Sequence, residues 1–246
     1  MKRRQTEAIV LNSYLQRERD KLVVFLSPEV GKFRGWVYGA RGPKNRMGAS
    51  LEPLAKVRVH YTEREGDEIV RIESIDLVRS AFGAQQNLRK TVTLSYLAEI
   101  ADVFAQPEEA SELLYRLIDR SIESLMDDVD PFVVVTYVET WILKLSGVLP
   151  SVRECIVCGS PLELPLQYGP SFGGFLCEEC NVAGSERFAN PVSELLQLVL
   201  AKSIREIGDL QPSRGDLFEL RTFAVRLRRE FLQHELKTWD LLQSVL

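Results

Sequence analysis

The four cysteines of this chain fall into two closely spaced pairs. Cys155 and Cys158 form the first C-x2-C pair, Cys177 and Cys180 form the second, and 18 residues separate the two pairs. This spacing is typical of a four-cysteine zinc site. Four thiolates complete a tetrahedral shell around Zn²⁺ and leave no position for water or substrate. We therefore expect one structural zinc ion per chain, in a module that resembles a zinc ribbon.

Redox-active cysteines and ordinary core cysteines are the alternative interpretations. A thioredoxin-like redox pair would explain one C-x2-C pair and leave the other without a role. Disulfides are uncommon in proteins that are not secreted, and the early apolar run AIVL is too short for the core of a signal peptide. No stretch of about 18 uncharged apolar residues predicts a membrane span. We expect a cytoplasmic protein.

A second group of residues with potential chemistry lies between residues 30 and 60. Read as a β-strand, residues 32–38 alternate with period two. One face of this strand then combines cations with aromatic rings: Lys32, Arg34, Trp36 and Tyr38. The opposite face carries small or apolar side chains: Phe33, Gly35 and Val37.

Further cations follow this strand. Arg41, Lys44 and Arg46 lie in the next loop, and Arg58 lies on the next predicted strand. From residue 30 to residue 60, seven Lys or Arg residues face one acidic residue, Glu52. Cations that pair with phosphates and rings that stack on bases are typical of nucleic-acid binding. The alternative is an ordinary solvated surface, with Trp36 packed beneath its neighbours.

The distribution of charge along the chain separates a basic N-terminal segment from an acidic remainder. The formal net charge is −4, but residues 1–64 carry a net charge of +8 and the remaining 182 residues carry −12. Such polarity suggests that one segment faces a polyanion and the other faces protein or solvent.

The elements that position these groups are strands first and helices afterwards. Five short strands, rich in Val, Ile, Tyr and Phe, are predicted between residues 5 and 80, and they favour a five-stranded OB-type barrel over an SH3-like barrel. Helical periodicity begins after Ala81, with helices predicted over residues 88–103, 108–127, 131–147 and 190–208. The expected fold is α+β: an OB-type nucleic-acid-binding domain over residues 1–80 and a helical domain over residues 81–246. The cysteine module is inserted at about residues 150–190.

The last predicted segment is one long amphipathic helix or two short ones. Its apolar stripe is flanked by arginines that include Arg226, Arg228 and Arg229. These cations either form a solvated flank or line a groove for an acidic, hydrophobic-tipped peptide or for DNA.

Catalytic machinery is not evident. There is no Walker-type phosphate loop, and the two histidines, His60 and His234, lie far apart in the sequence. The acidic group Asp127, Asp128 and Asp130 precedes Pro131 and is read as a helix cap and loop. We expect a binding protein rather than an enzyme.

Four stretches together resemble the bacterial RecO family of recombination mediators. The most specific is the run G-K-x-R-G…G-A-R-x-P-K-x-R followed by LEP, and the others are YVETWILKLSGVLPSVRECIVCG, FLCEEC and FLQHELKTWDLL. The resemblance implies an N-terminal OB-fold that binds single- and double-stranded DNA and anneals complementary strands. By position it puts Lys32, Arg34, Arg41, Lys44 and Arg46 on the DNA-binding face.

The resemblance also implies protein partners. RecO proteins act with RecR, and in many lineages with RecF, to load RecA onto strands coated by single-strand-binding protein. Some members bind the acidic tail of that protein. The alternatives from other classes are an RNA-binding or transcription-associated adaptor, and a nuclease whose acids the sequence does not reveal.

Overall fold

The computed structural model describes residues 2–16, 20–40, 49–64, 66, 68–107 and 109–246. The chain divides into two compact units, Met1–Pro131 with Leu236–Leu246, and Phe132–Glu235. The division at residue 80 that the sequence suggests follows the change from strands to helices. The compact units instead group the first two helices and the C-terminal segment with the strands.

Five strands make up the N-terminal sheet: β1 (Lys2–Gln16), β2 (Asp20–Ser27), β3 (Gly31–Val37), β4 (Lys56–Glu63) and β5 (Ile69–Arg79). They close into a barrel in the order β1-β2-β3-β5-β4, with β4 paired to β1. The β3–β5 pairing is parallel and the other four pairings are antiparallel. The predicted five-stranded N-terminal sheet of an α+β protein is confirmed.

The alternation predicted for β3 sorts its side chains between core and exterior. Phe33, Gly35 and Val37 are buried, whereas the residues between them are half-buried or exposed. The Phe33 ring stacks on Phe25 and on Tyr61, at centroid distances of 5.0 and 5.4 Å. A Cβ added at Gly35 would lie 2.4 Å from Cδ1 of Ile72, so a glycine lets β3 approach the barrel core here.

Seven helices are described: α1 (Leu88–Phe104), α2 (Glu112–Met126), α3 (Pro131–Leu145), α4 (Asn190–Ala201), α5 (Ile204–Asp209), α6 (Arg214–Leu232) and α7 (Trp239–Val245). The short strands β6 (Gln167–Gly169), β7 (Gly174–Leu176) and β8 (Glu186–Arg187) form a second sheet in the order β7-β6-β8. Among these helices, none is both long and apolar enough to cross a membrane.

The helix predicted over residues 190–208 is in fact two helices. Ser203 ends the first run and opens α5, because its hydroxyl accepts a hydrogen bond from the backbone N–H of Glu206. The Glu206 carboxylate accepts in return from the backbone N–H of Ser203, at 2.8 Å. This reciprocal capping box supplies a helix start where periodicity alone predicts continuation. The C-terminal segment is likewise two helices, because Gln233 adopts a left-handed φ of 59° after α6.

Helix α2 is held to the barrel by an ion-pair network around Asp119. The two Asp119 carboxylate oxygens lie 3.0 Å from Lys56 Nζ and 2.6 Å from an Arg79 guanidinium nitrogen. Lys56 also contacts Glu7 at 3.0 Å, and Arg79 contacts Glu123 at 2.7 Å. Two barrel cations are therefore held by acids from β1 and α2.

Burial and the acidic residues of this network together leave the pKa values of Lys56 and Tyr115 raised. Burial alone would lower the pKa of Lys56, but hydrogen bonds and charges from Glu7 and Asp119 outweigh that effect and leave the pKa raised. Burial also raises the pKa of the Tyr115 hydroxyl, and its hydrogen bond to Glu7 raises it further. Tyr115 consequently remains a donor to Glu7, at 2.8 Å.

The C-terminal segment is held within the same unit by a carboxylate of α1. Glu99 accepts hydrogen bonds from the backbone N–H groups of Lys237 and Thr238, each at 2.8 Å. Trp239 packs on Tyr96 with ring centroids 6.3 Å apart. An acidic side chain at the start of α7 compensates unpaired N–H groups and the positive end of the helix dipole.

Replacing Asp119 with Ala should destabilise the protein, because Lys56 and Arg79 would lose their shared carboxylate while remaining largely buried. We expect a loss of about 2–4 kcal/mol in the free energy of unfolding, measured from urea midpoints at constant m. Glu112→Ala on the same helix is the matched control, since its ion pair with Arg116 is exposed. It should cost less than about 0.5 kcal/mol. Equal effects of the two substitutions would contradict the role assigned to Asp119.

Candidate nucleic-acid interface and metal centre

The outward face of β3 brings several of the predicted nucleic-acid contacts together. Arg34 is exposed, Trp36 is half-buried, and Tyr38, just after the strand, is 53% exposed. Arg41, Lys44 and Arg46, predicted to continue this face, lie outside the described residues. The face thus offers an exposed cation, Arg34, and an exposed ring, Tyr38, with the half-buried Trp36 between them in the sequence.

Arg71 joins this face, although it lies outside the basic segment of residues 30–60. In the parallel register of β3 and β5, Arg71 is the partner of Trp36. Its guanidinium lies over the Tyr38 ring, 5.6 Å from the centroid, in a cation–π contact. The alternation of buried Val70 and Ile72 with exposed Arg71 on β5 would have shown its outward direction. Its proximity to Trp36 depends on a strand pairing that the sequence does not reveal.

Two of the other predicted contacts have acidic neighbours. Lys32 Nζ lies 3.2 Å from a carboxylate oxygen of Asp102 and 2.5 Å from the backbone oxygen of the same residue. Arg58 is exposed, but its register partners on either side are Glu7 and Asp76. His60 also contacts Asp76, at 3.3 Å. Of the predicted contacts that the structure describes, Lys32 and Arg58 therefore have an acidic neighbour, in an ion pair or in the strand register.

The four cysteines converge in the second unit. Their Sγ atoms all lie within 4.8 Å of one another, and the Cys158 and Cys177 sulfurs are 3.6 Å apart. Sulfurs that each lie about 2.3 Å from one tetrahedral ion are about 3.8 Å apart. The cluster can therefore hold a metal ion between its two pairs, and the donor set fits the expectation from the sequence.

Local backbone geometry explains why each pair points inward. The first pair closes through a hydrogen bond from the Gly159 N–H to the Cys155 carbonyl, at 2.9 Å, and Gly159 has a φ of +74° that favours glycine. The N–H of Ile156 donates to the carbonyl of Phe175 at 2.9 Å, which ties this turn to β7. Cys177 follows β7 directly, so the sheet places the second pair beside the first.

An aromatic cluster fixes the cysteine module to α6. Phe223 packs against Tyr168 and Phe188 at centroid distances of 5.0 Å each, and against Phe175 at 5.9 Å. These rings bury the base of the three-stranded sheet, and Cys155 is itself buried. Cys177 and Cys180 are half-buried and Cys158 is exposed, so the cysteine cluster lies at the edge of this core, with Cys155 on its inner side.

The structure separates the three α6 arginines for which the sequence left a solvated flank and a groove as alternatives. Arg228 is fully buried, so its predicted contact with a partner tail or with DNA is wrong. Its guanidinium lies 3.2 Å from a carboxylate oxygen of buried Glu139 and 2.8 Å from one of Glu235. The physical reason is its position on the helix, four residues after buried Ala224, within the stripe that faces the core.

The two neighbouring arginines are more accessible, but each has an acidic contact. Arg226 is half-buried, 2.6 Å from Glu186, with its guanidinium over the rings of Tyr168 and Phe223. Arg229 is half-exposed and contacts Glu235. Arg226 thereby contributes to the packing of the cysteine module.

The acidic group before α3 is also accounted for by local contacts. Asp128 pairs with Lys90, and Asp130 pairs with Arg89 at 3.1 Å. Within the described part of the chain, the cysteine cluster is the one group of three or more His, Cys, Asp or Glu side chains placed to share a metal ion. No acidic metal site of the kind used by nucleases is seen among those residues.

Comparison with known proteins gives matches over nearly the whole chain. The family model described as "Recombination protein O N terminal" matches residues 1–81, and "Recombination protein O C terminal" matches residues 85–240. Similar proteins, each named "DNA repair protein RecO", come from Koribacter versatilis and Myxococcus xanthus. The Koribacter protein is 28% identical over 98% of this chain and 99% of its own length. The Myxococcus protein is 31% identical over 96% of this chain and 93% of its own length.

Proposed function

We propose that this chain, which belongs to the RecO family of DNA repair proteins, is a non-enzymatic recombination mediator. In this proposal it binds single- and double-stranded DNA and anneals complementary strands. Together with RecR, and in many lineages RecF, it helps to load RecA onto strands coated by single-strand-binding protein. It would act in the cytoplasm at the nucleoid, where its DNA substrate lies.

The N-terminal barrel is proposed to be an OB-fold. Its five strands follow the order β1-β2-β3-β5-β4 with a parallel β3–β5 pair, and the OB-fold is a five-stranded Greek-key barrel that often binds oligonucleotides. The predicted DNA contacts Arg34, Trp36 and Tyr38 lie on its third strand or directly after it.

The observation that carries the proposal is the pairing of exposed cations with exposed rings on one barrel face. Arg34 and Arg71 are exposed, and Tyr38 lies beneath the Arg71 guanidinium. Such a surface pairs with phosphates and offers planar faces to bases. The net charge of +8 over residues 1–64 adds a long-range attraction for polyanions.

Annealing requires binding and positioning rather than bond chemistry. Cations that neutralise phosphates release condensed counterions, which drives association, and they reduce repulsion between two strands held on one protein. A mediator of this kind has no need of the histidines, phosphate loop or acidic metal site of an enzyme. The proposal therefore agrees with the placement of Asp128 and Asp130 in ion pairs.

We assign the metal as a single structural Zn²⁺ held by Cys155, Cys158, Cys177 and Cys180. Zinc accepts four thiolates in tetrahedral geometry, and the separation of the Cys158 and Cys177 sulfurs, 3.6 Å, fits that shell. When bound, the ion would join the turn after α3 to the segment after β7. Such a cross-link adds metal-binding free energy to the stability of the module.

Binding of the tail of single-strand-binding protein remains a separate proposal. With Arg228 buried, it depends on Arg229 and Arg226, near the exposed ring of Phe231. An acidic tail would have to compete with Glu186 and Glu235 for these guanidinium groups. Titration of a tail peptide against wild type and Arg229→Ala would decide it, because saturable binding that is unaffected by the substitution excludes this surface.

Replacing Arg34 with Ala should weaken binding to both single-stranded and duplex DNA, because one phosphate contact is lost. The slope of log K against log salt should fall by about 1, measured by fluorescence anisotropy from low to moderate salt. Arg116→Ala removes an exposed arginine from α2 and is the matched control, expected to leave the slope unchanged. An unchanged slope in folded Arg34→Ala protein would move the DNA site away from β3.

The proposed mediator activity predicts that the purified protein anneals complementary DNA oligonucleotides without nucleotide cofactor and without shortening either strand. Electrophoresis of labelled strands measures both outcomes. Annealing of RNA strands in preference to DNA would favour the RNA-binding adaptor, and shortened products would favour a nuclease. Absence of DNA binding at low salt would contradict the proposal.

The zinc assignment predicts one Zn²⁺ per chain in freshly reduced protein, measured by metal analysis. Cys155→Ser with Cys158→Ser should remove the ion and lower the thermal midpoint of the protein, while the DNA affinity of the fraction that remains folded changes little. Ser151→Ala, a nearby substitution outside the cluster, should retain the ion. The assignment would be contradicted by wild-type protein that contains no metal, has four titratable thiols and has the same thermal midpoint as the double cysteine variant.

A further inference from the structure

Outward-facing side chains of four neighbouring strands form one row across the barrel exterior. Tyr14 on β1 is the register partner of Leu22 on β2, and Leu22 is the partner of Trp36 on β3. Trp36 is in turn the partner of Arg71 on β5. We call these four residues the transverse row. It runs across the strands rather than along any one of them.

The transverse row is accessible along its length. Tyr14 is 45% exposed, Leu22 and Trp36 are half-buried, and Arg71 is exposed. Tyr38 is 53% exposed and adjoins the row, because the Arg71 guanidinium lies over its ring. Two exposed rings, one partly exposed indole and one guanidinium thus lie along this surface, with the Leu22 side chain between Tyr14 and Trp36.

The acidic side chains near the row have other partners than Arg71. The Asp20 carboxylate, at the end of β2, accepts a hydrogen bond from the Gly39 N–H at 2.9 Å. Glu73, two residues after Arg71, lies 3.6 Å from Arg3. Neither acid forms an ion pair with Arg71 among the described residues. Phosphates that approach the row therefore meet Arg71 and the nearby Arg34.

Spacing across the strands suits a polynucleotide chain. Neighbouring strands lie about 4.8 Å apart, so Tyr14 and Trp36, two strands apart, are separated by about 10 Å along the row. Planar groups at such intervals can receive successive unstacked bases, while guanidinium groups take the phosphates between them. Base faces in a duplex are covered by their stacked neighbours, so a duplex can use the cations of this surface but not its rings.

We propose that the transverse row, with Tyr38, is a stacking platform that distinguishes unpaired strands from duplex DNA. The inference rests on the proposed DNA-binding function and deepens it: cations bind both forms, and the rings add affinity for single strands alone. An annealing protein with this arrangement holds an unpaired strand more tightly than the duplex it forms, which favours release of the product.

The test compares ring substitutions for their effect on two DNA forms. Tyr14→Ala and Tyr38→Ala should each lower the affinity for a labelled single-stranded oligonucleotide by at least about fivefold. Affinity for the matching duplex should change by less than twofold, and Tyr38→Phe, which keeps the ring, should retain single-strand affinity. Phe82→Ala removes an aromatic ring that is 59% exposed and lies outside the row, and it should change neither affinity.

Two further arms separate stacking from charge. An oligonucleotide with abasic sites keeps its phosphates but cannot stack on any ring, so wild-type protein should bind it no more tightly than Tyr38→Ala binds the intact strand. Arg71→Lys keeps the positive charge but loses the planar group, and it should weaken single-strand binding while sparing the duplex. Arg116→Lys, on α2, is the control for that substitution and should change neither affinity.

Failure of the stacking platform and failure of the proposed DNA-binding function give different results. Equal losses for single strand and duplex in Tyr38→Ala, no loss in either, or an equal loss in Phe82→Ala would each overturn the stacking platform while leaving DNA binding in place. Thermal midpoints confirm that the compared variants are folded. Wild-type protein that binds neither DNA form at low salt would instead overturn the proposed function, and the platform with it.

Discussion

The carboxylates of α1 and α2 determine which barrel cations are left to meet a ligand. Asp102 on α1 holds Lys32, and Asp119 on α2 holds Lys56 and Arg79. These pairs fasten the two helices to the barrel and neutralise part of its basic exterior. On the β3–β5 side, no ion pair joins a helix carboxylate to Arg34 or Arg71 among the described residues. A single constraint, that partly buried cations require acidic partners, thereby shapes both the packing of this unit and its candidate interface.

Alternation along single strands was readable from the sequence, whereas the neighbours of those strands were not. Period-two patterning correctly assigned Phe33 and Val37 to the core and Arg34 to the exterior. The pairing of β3 with β5, which brings Arg71 to Trp36, joins segments more than 30 residues apart and leaves no local signal. For the same reason the sequence could show Lys32 as a surface cation but could not show that Asp102 would hold it.

In the helical part of the chain, too, some features were predictable from the sequence and others were not. The cysteine cluster was predictable because the C-x2-C spacing carries its own geometry. The break at Ser203 had a local signal, the Ser-x-x-Glu capping box, which apolar periodicity outweighed. The burial of Arg228 also had a positional signal, its place four residues after Ala224 in the apolar stripe, which the charge of its side chain outweighed. Its interior position becomes intelligible only with Glu139 from α3 as its partner.

Photo-crosslinking of a single-stranded oligonucleotide containing 5-iodouracil, followed by mass spectrometry of the peptides, tests the central claim most directly. The reagent joins a base to an aromatic ring that it touches, so it reports stacking rather than charge. The account predicts crosslinks at Tyr14, Trp36 and Tyr38, and none when the iodouracil strand is first annealed into a duplex. Crosslinks confined to α6 or to the cysteine module, or equally strong crosslinks from the duplex, would contradict it.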